Sequence, residues 1–133
     1  MKKIASLLML VLIGSLGFAQ DAPKKPSPFD TWPELKTFHG VMSSTFHPSE
    51  EGNLEPIKTR ATEMREKAAA LADSKIPADL DNEKVRAAVN KLKDNTVVME
   101  KMVKDKKSDK EITEYLVVLH DTFHEIVGLC RHE

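Results

Sequence analysis

Residues 108–130 read SDKEITEYLVVLHDTFHEIVGLC, and this stretch decides the fold class. Ile112, Leu116, Leu119, Phe123, Ile126 and Cys130 follow one another in alternating steps of four and three residues, the heptad spacing that lines one side of an α-helix. Ser108 with Glu111 three positions later is a capping-box pattern that starts such a helix, and Gly128 falls near its end.

Three further segments carry the same periodicity. Upstream, Val85, Val89, Leu92, Thr96, Met99 and Val103 repeat the four-three steps between the punctuation Ile76-Pro77-Ala78-Asp79 and the charged Lys104-Asp105-Lys106-Lys107. Before them, Ile57, Ala61, Met64, Ala68 and Leu71 form one stripe that Asn53 can cap and that ends near Ser74. The earliest segment opens with Thr31 and Glu34 as a second capping-box pattern and Pro33 in the first turn. It carries Trp32, Leu35, Phe38, His39, Met42 and Phe46, and is expected to stop at His47-Pro48. Four amphipathic helices of similar length joined by short loops bury their stripes together most simply as an antiparallel up-down-up-down four-helix bundle, predicted here over 31–133.

Composition agrees with an all-α reading. The chain has 133 residues, enough for one domain and too few for two, and 5 Gly, 7 Pro and 5% aromatics do not suit a turn-dense β sandwich. Lys2 and Lys3 before the apolar run from Ile4 to Phe18 read as a secretory signal peptide over 1–19, with cleavage expected after Ala19. That run is shorter than the ~20 apolar residues of a membrane span. Residues 20–30, with Pro23, Pro26 and Pro28 among Lys and Asp, are expected to form an extended leader.

The chain as a whole carries a net charge of −1, and loss of Lys2 and Lys3 takes it to −3. So even a balance argues against nucleic acid as a partner, and no later stretch is apolar enough to span a membrane. Export points to the periplasm or exterior of a bacterial cell. The single Cys130 has no partner within the chain, so it is buried, inert, or the bridge of a homodimer.

The histidines are the unusual feature. His39 and His47 lie on or just after the first predicted helix, His120, His124 and His132 on or after the last, and the two middle helices have none. The first and last helices of an up-down bundle are antiparallel neighbours, which brings His39 and His120 to one level. His39 is expected near the centre of its stripe, His120 at the edge of its own, and His124 further towards the surface. His120 and His124 are four apart on one face, the spacing with which two imidazoles grip one transition-metal ion, and Asp121 or Glu125 could add oxygen. A metal cluster of His39, His120 and His124, with His47 as a further candidate, is therefore expected. Copper, zinc, iron and nickel all accept nitrogen ligands, so the ion stays open. The alternative is that these histidines are boundary residues bonded to carbonyls or water.

Three of the five Phe residues immediately precede a His, in Phe38-His39, Phe46-His47 and Phe123-His124. They read either as core anchors with an edge His beside each or as an aromatic wall around an imidazole ligand. Met42 and Met64 are candidate thioether ligands, although Met at core spacing is usually packing.

Catalysis finds no support. His120-Asp121-Thr122-Phe123-His124 has Asp where a zincin needs its general-base Glu. The residues three before four of the histidines are Lys36, Ser44, Val117 and Asp121, not the Glu of a di-iron site. Glu50-Glu51-Gly52-Asn53 lacks the ligand spacing of an EF-hand. No nucleophile, base and orienting group can be named together, so the chain is expected to bind, carry or sense.

On this pattern residues 31–130 resemble the soluble periplasmic cytochrome b and cytochrome c′ group of four-helix bundles. That group holds haem through a His on the last helix followed three residues later by an aromatic, which His120-Asp121-Thr122-Phe123 matches. Leu116 and Leu119 stand where the c′ proteins have their attachment cysteines, so the resemblance implies only a noncovalent haem, with Phe123 beside it and His39 or Met42 as second ligand. A cofactor-free interaction module of the envelope is the rival reading.

Overall fold

The computed structural model describes Gly17 and residues 24–131. The expected signal peptide, apart from Gly17, and His132 lie outside the described residues. All regular elements among the described residues are helical: α1 (Pro28–Thr31), α2 (Pro33–Glu50), α3 (Glu55–Asp73), α4 (Glu83–Lys104) and α5 (Asp109–Cys130).

Local chemistry sets most of the helix starts. At α5 the Ser108 Oγ accepts the Glu111 N–H at 3.2 Å while the Glu111 carboxylate accepts the Ser108 N–H at 3.0 Å, so the expected capping box forms. Asn82 Oδ1 accepts the Val85 N–H at 3.0 Å to open α4. Asn53 Oδ1 accepts the Glu55 N–H at 3.1 Å, although the backbone places the N-cap of α3 one residue on, at Leu54.

The entry to α2 differs from expectation. Thr31 does not cap it; Ser27 and Asp30 form a capping box one turn earlier and start the short α1, with Pro28 buried and Phe29 packed on the core. The expected leader is thus helical from Pro28. Trp32, which precedes Pro33, is pushed out of helical geometry to φ −127° and ψ 87°, and this break separates α1 from α2. Its indole is fully buried and donates Nε1–H to Ser74 Oγ at 2.8 Å, tying the start of α2 to the end of α3.

Nor does α2 stop at His47-Pro48; it runs on to Glu50. Pro48 removes one N–H, but its own carbonyl accepts from Glu51 and Asn53 at 3.1 and 2.9 Å. Gly52, at φ +82°, then reverses the chain in a conformation that favours glycine.

The four stripes meet in one core. Every predicted stripe residue is buried except His39, which is exposed, and Val103, which is partly buried. Buried hydroxyls of Thr45 and Thr96 bond to carbonyls one turn back, so the core carries no unpartnered side-chain N or O among the described residues. Each long helix packs on the next and α2 also meets α5, where the backbones come close at fewer places than between successive long helices. No helix among the described residues is long and apolar enough to cross a membrane.

One polar clamp joins α3 to α4. Glu100, 13% exposed, accepts from Arg65 Nε at 2.8 Å and from Lys104 Nζ at 3.1 Å. The Arg65 hydrogen bond holds its pKa down to about 2, burial opposes it, and Lys104 and Thr62 add to the lowering.

Two stability predictions follow from this geometry. A Cβ at Gly40, mid-helix in α2, meets nothing within 4 Å, so Gly40→Ala should raise unfolding free energy by about 0.5–1 kcal/mol in a urea titration. The unfolded chain binds a proton at Glu100 before the folded chain does, so the clamp stabilises in full above the usual carboxylate range and is lost as pH falls towards 2. Glu100→Gln should cost about 1 kcal/mol at pH 7, discounted for solvent screening, and close to nothing at pH 2.

Candidate functional site

The seam between α2 and α5 is filled by rings. Phe46, turned inward from α2, lies face to face with His120 of α5, centroids 3.7 Å apart and 8° from parallel. One turn further along α5, His124 brings its Nε2 to 3.0 Å from His120 Nε2, the two rings at 71°. His120 is half-buried and His124 exposed, as their positions beside the Leu116–Phe123 stripe require. Phe123 packs on Phe38 at 5.6 Å and fills the seam beside the pair.

The pair has a definite chemistry. Two nitrogens each ~2.0–2.1 Å from one ion stand ~2.9 Å apart at a right angle and ~3.3 Å apart at the tetrahedral angle. The observed separation of 3.0 Å falls within that range. Without an ion the same spacing suits a hydrogen bond in which one Nε2–H donates to the lone pair of the other ring. Burial lowers the His120 pKa and keeps the ring neutral. His124 and His47 add to that lowering by charge repulsion, while Asp121 and Glu50 oppose it.

On α2, His47 Nδ1 stands 3.1 Å from Glu50 Oε2, with both side chains well exposed. His39 departs from expectation. The inward face of α2 is Leu35, Phe38, Val41, Met42, Thr45, Phe46 and Ser49, which centres the stripe on the Phe38 side and leaves the neighbouring His39 exposed on the flank. Its ring rests between Phe29 at 4.8 Å and Phe123 at 5.5 Å.

The expected cluster of His39, His120 and His124 is thus not assembled. The structure pairs the last two and sets His39 against Phe123. Among the described residues no group of three or more His, Cys, Asp or Glu is arranged to hold a metal ion. Met42 and Met64 lie fully inside the core, and Glu125 is turned to Lys91 at 3.5 Å. The Phe46–His120 stack could not be read from either helix alone, whereas the His47–Glu50 pair is visible as an i,i+3 spacing.

A cavity of about 610 Å³ opens elsewhere, where α5 finishes beside the 74–82 connection, lined in part by Pro28, Leu80, Cys130 and Arg131. The histidines of the pair do not line it. Cys130 is buried, and burial, with Asp79 adding, pushes its thiol pKa up, which disfavours the thiolate that reactive cysteines need.

Comparison with known protein families, with curated proteins and with solved structures gives no match. The site therefore stands on its own geometry, and that geometry sets a pH dependence. The His120 imidazole should titrate below the usual histidine value of about 6.5 when followed by NMR, and His124→Ala should move the midpoint upward. Because the unfolded chain takes the proton first, His120 supports folding above that value and this support is lost as pH falls through its folded pKa.

Proposed function

We propose that this chain is an exported, antiparallel up-down-up-down four-helix bundle that binds a single transition-metal ion through His120 and His124. The observation that carries the reading is the 3.0 Å separation of the two Nε2 atoms. Two sets of contacts favour the antiparallel order: Trp32 at the start of α2 bonds Ser74 at the end of α3, and moving along α4 from Lys91 to Asn95 moves back along α5 from Glu125 to Thr122 and Tyr115. Imidazole nitrogens suit copper, nickel, zinc and iron. Two protein nitrogens leave coordination positions to water, unlike the four protein ligands of a closed structural zinc site, so the ion exchanges. Buffering, carriage or sensing of metal in the bacterial envelope fits such a site better than a structural or catalytic role.

A bare ion is favoured over noncovalent haem by the same rings that form the seam. Haem iron would bind His120 at Nε2, the edge that His124 Nε2 already approaches to 3.0 Å, so a macrocycle there would have to part the two rings. Met42, a candidate second ligand, is buried and would have to leave the core.

Competitive titration of the purified protein with copper, nickel and zinc against a coloured chelator tests this. One ion per chain should bind and raise the thermal midpoint. His120→Ala and His124→Ala should each weaken binding by at least about tenfold, the loss that removing even an outer partner of a metal ligand causes. His39→Ala should bind as the unaltered chain does. The exposed His124 position guards against a folding defect in the His120 variant. Failure to bind any of the three ions, or equal binding by all variants, would overturn the reading and favour a cofactor-free interaction module.

A further inference from the structure

We infer that an ion seated on His120 and His124 also takes His47 Nε2 as a third nitrogen, oriented by Glu50, so that the ion ties α2 to α5. This rests on the reading of the histidine pair as an ion site and adds to it a ligand from the opposite helix.

The geometry supports it in three steps. Phe46 lies flat on the His120 ring at 3.7 Å, which sets the residue directly before His47 against one of the two ligands and fixes the register of the helices at this level. Glu50 Oε2 lies 3.1 Å from His47 Nδ1. A neutral imidazole that donates Nδ1–H to a carboxylate presents an unprotonated Nε2, the arrangement in which an outer carboxylate orients a metal-binding histidine. Finally, the His47 and Glu50 side chains are 65% and 54% exposed, so the ring can turn about its side-chain torsions without unpacking the core.

Among the described residues no three ligands stand in place together. Capture therefore runs in order: the preset pair on α5 takes the ion, then His47 swings in from α2. The ion gains a ligand, and the seam between α2 and α5, where the backbones come close at fewer places than between successive long helices, gains a cross-link. Glu50 is a positioning residue, acting through His47.

The test loads the ¹⁵N-histidine-labelled chain with one equivalent of Cu²⁺ and counts bound nitrogens from the superhyperfine splitting in its electron paramagnetic resonance spectrum. Three nitrogens are expected in the unaltered chain and two in His47→Ala, which should bind roughly tenfold or more weakly. Glu50→Gln should keep three nitrogens and lose affinity, a split that loss of a ligand would not give. If His47→Ala matches the unaltered chain in nitrogen count and affinity while His124→Ala is impaired, the third ligand is overturned and the pair stands. If His124→Ala matches it too, both readings fall together.

Discussion

The contact on which the rest of the candidate site depends is the parallel packing of the Phe46 and His120 rings across the α2–α5 seam. The Phe46 ring covers one face of the imidazole and restricts how His120 can turn about its side-chain torsions. With one face covered, His120 directs its Nε2 edge along the helix towards His124 and not into solvent. Along the same seam the two backbones come close at fewer places than between successive long helices. Large rings line it, Phe38 and Phe123 in the interior and His39 with Phe29 of α1 at the rim.

Electrostatics and packing act in one direction there. Partial burial disfavours the imidazolium of His120, and the neighbouring histidines disfavour it further because two positive rings at 3.0 Å repel. What the site resists is two protons; a single cation shared between two lone pairs satisfies both rings at once. Asp121 and Glu50 supply nearby negative charge that an ion would also meet. Elsewhere the charged groups do simpler work, as in the Arg65–Glu100–Lys104 clamp that joins α3 and α4.

The helices were legible because their signals are local. The Ser108–Glu111 box and the four-three spacing of α4 and α5 depend on residues within a turn or two of one another, and the structure reproduces them. The entry to α2 is ambiguous in sequence because two capping-box patterns stand four residues apart, and the pull of Pro33 on Trp32 decides between them. His39 was misplaced because adjacent Phe38 and His39 both fit a stripe drawn through Leu35 and Met42; the burial of Val41, Thr45 and Ser49 moves its centre to the Phe38 side. The His120–His124 spacing was readable on one helix. Its cover, Phe46, comes from a residue more than seventy positions away, and no period along the chain encodes that.

The central claim is that the Nε2 atoms of His120 and His124 share one ion, and a crystal structure of the zinc-loaded protein measured at the zinc absorption edge tests it most directly. The account predicts one anomalous peak per chain lying ~2.0–2.1 Å from both nitrogens, with the Phe46–His120 stack retained. A peak at another position, or no peak with the two rings still in direct contact at 3.0 Å, would contradict it.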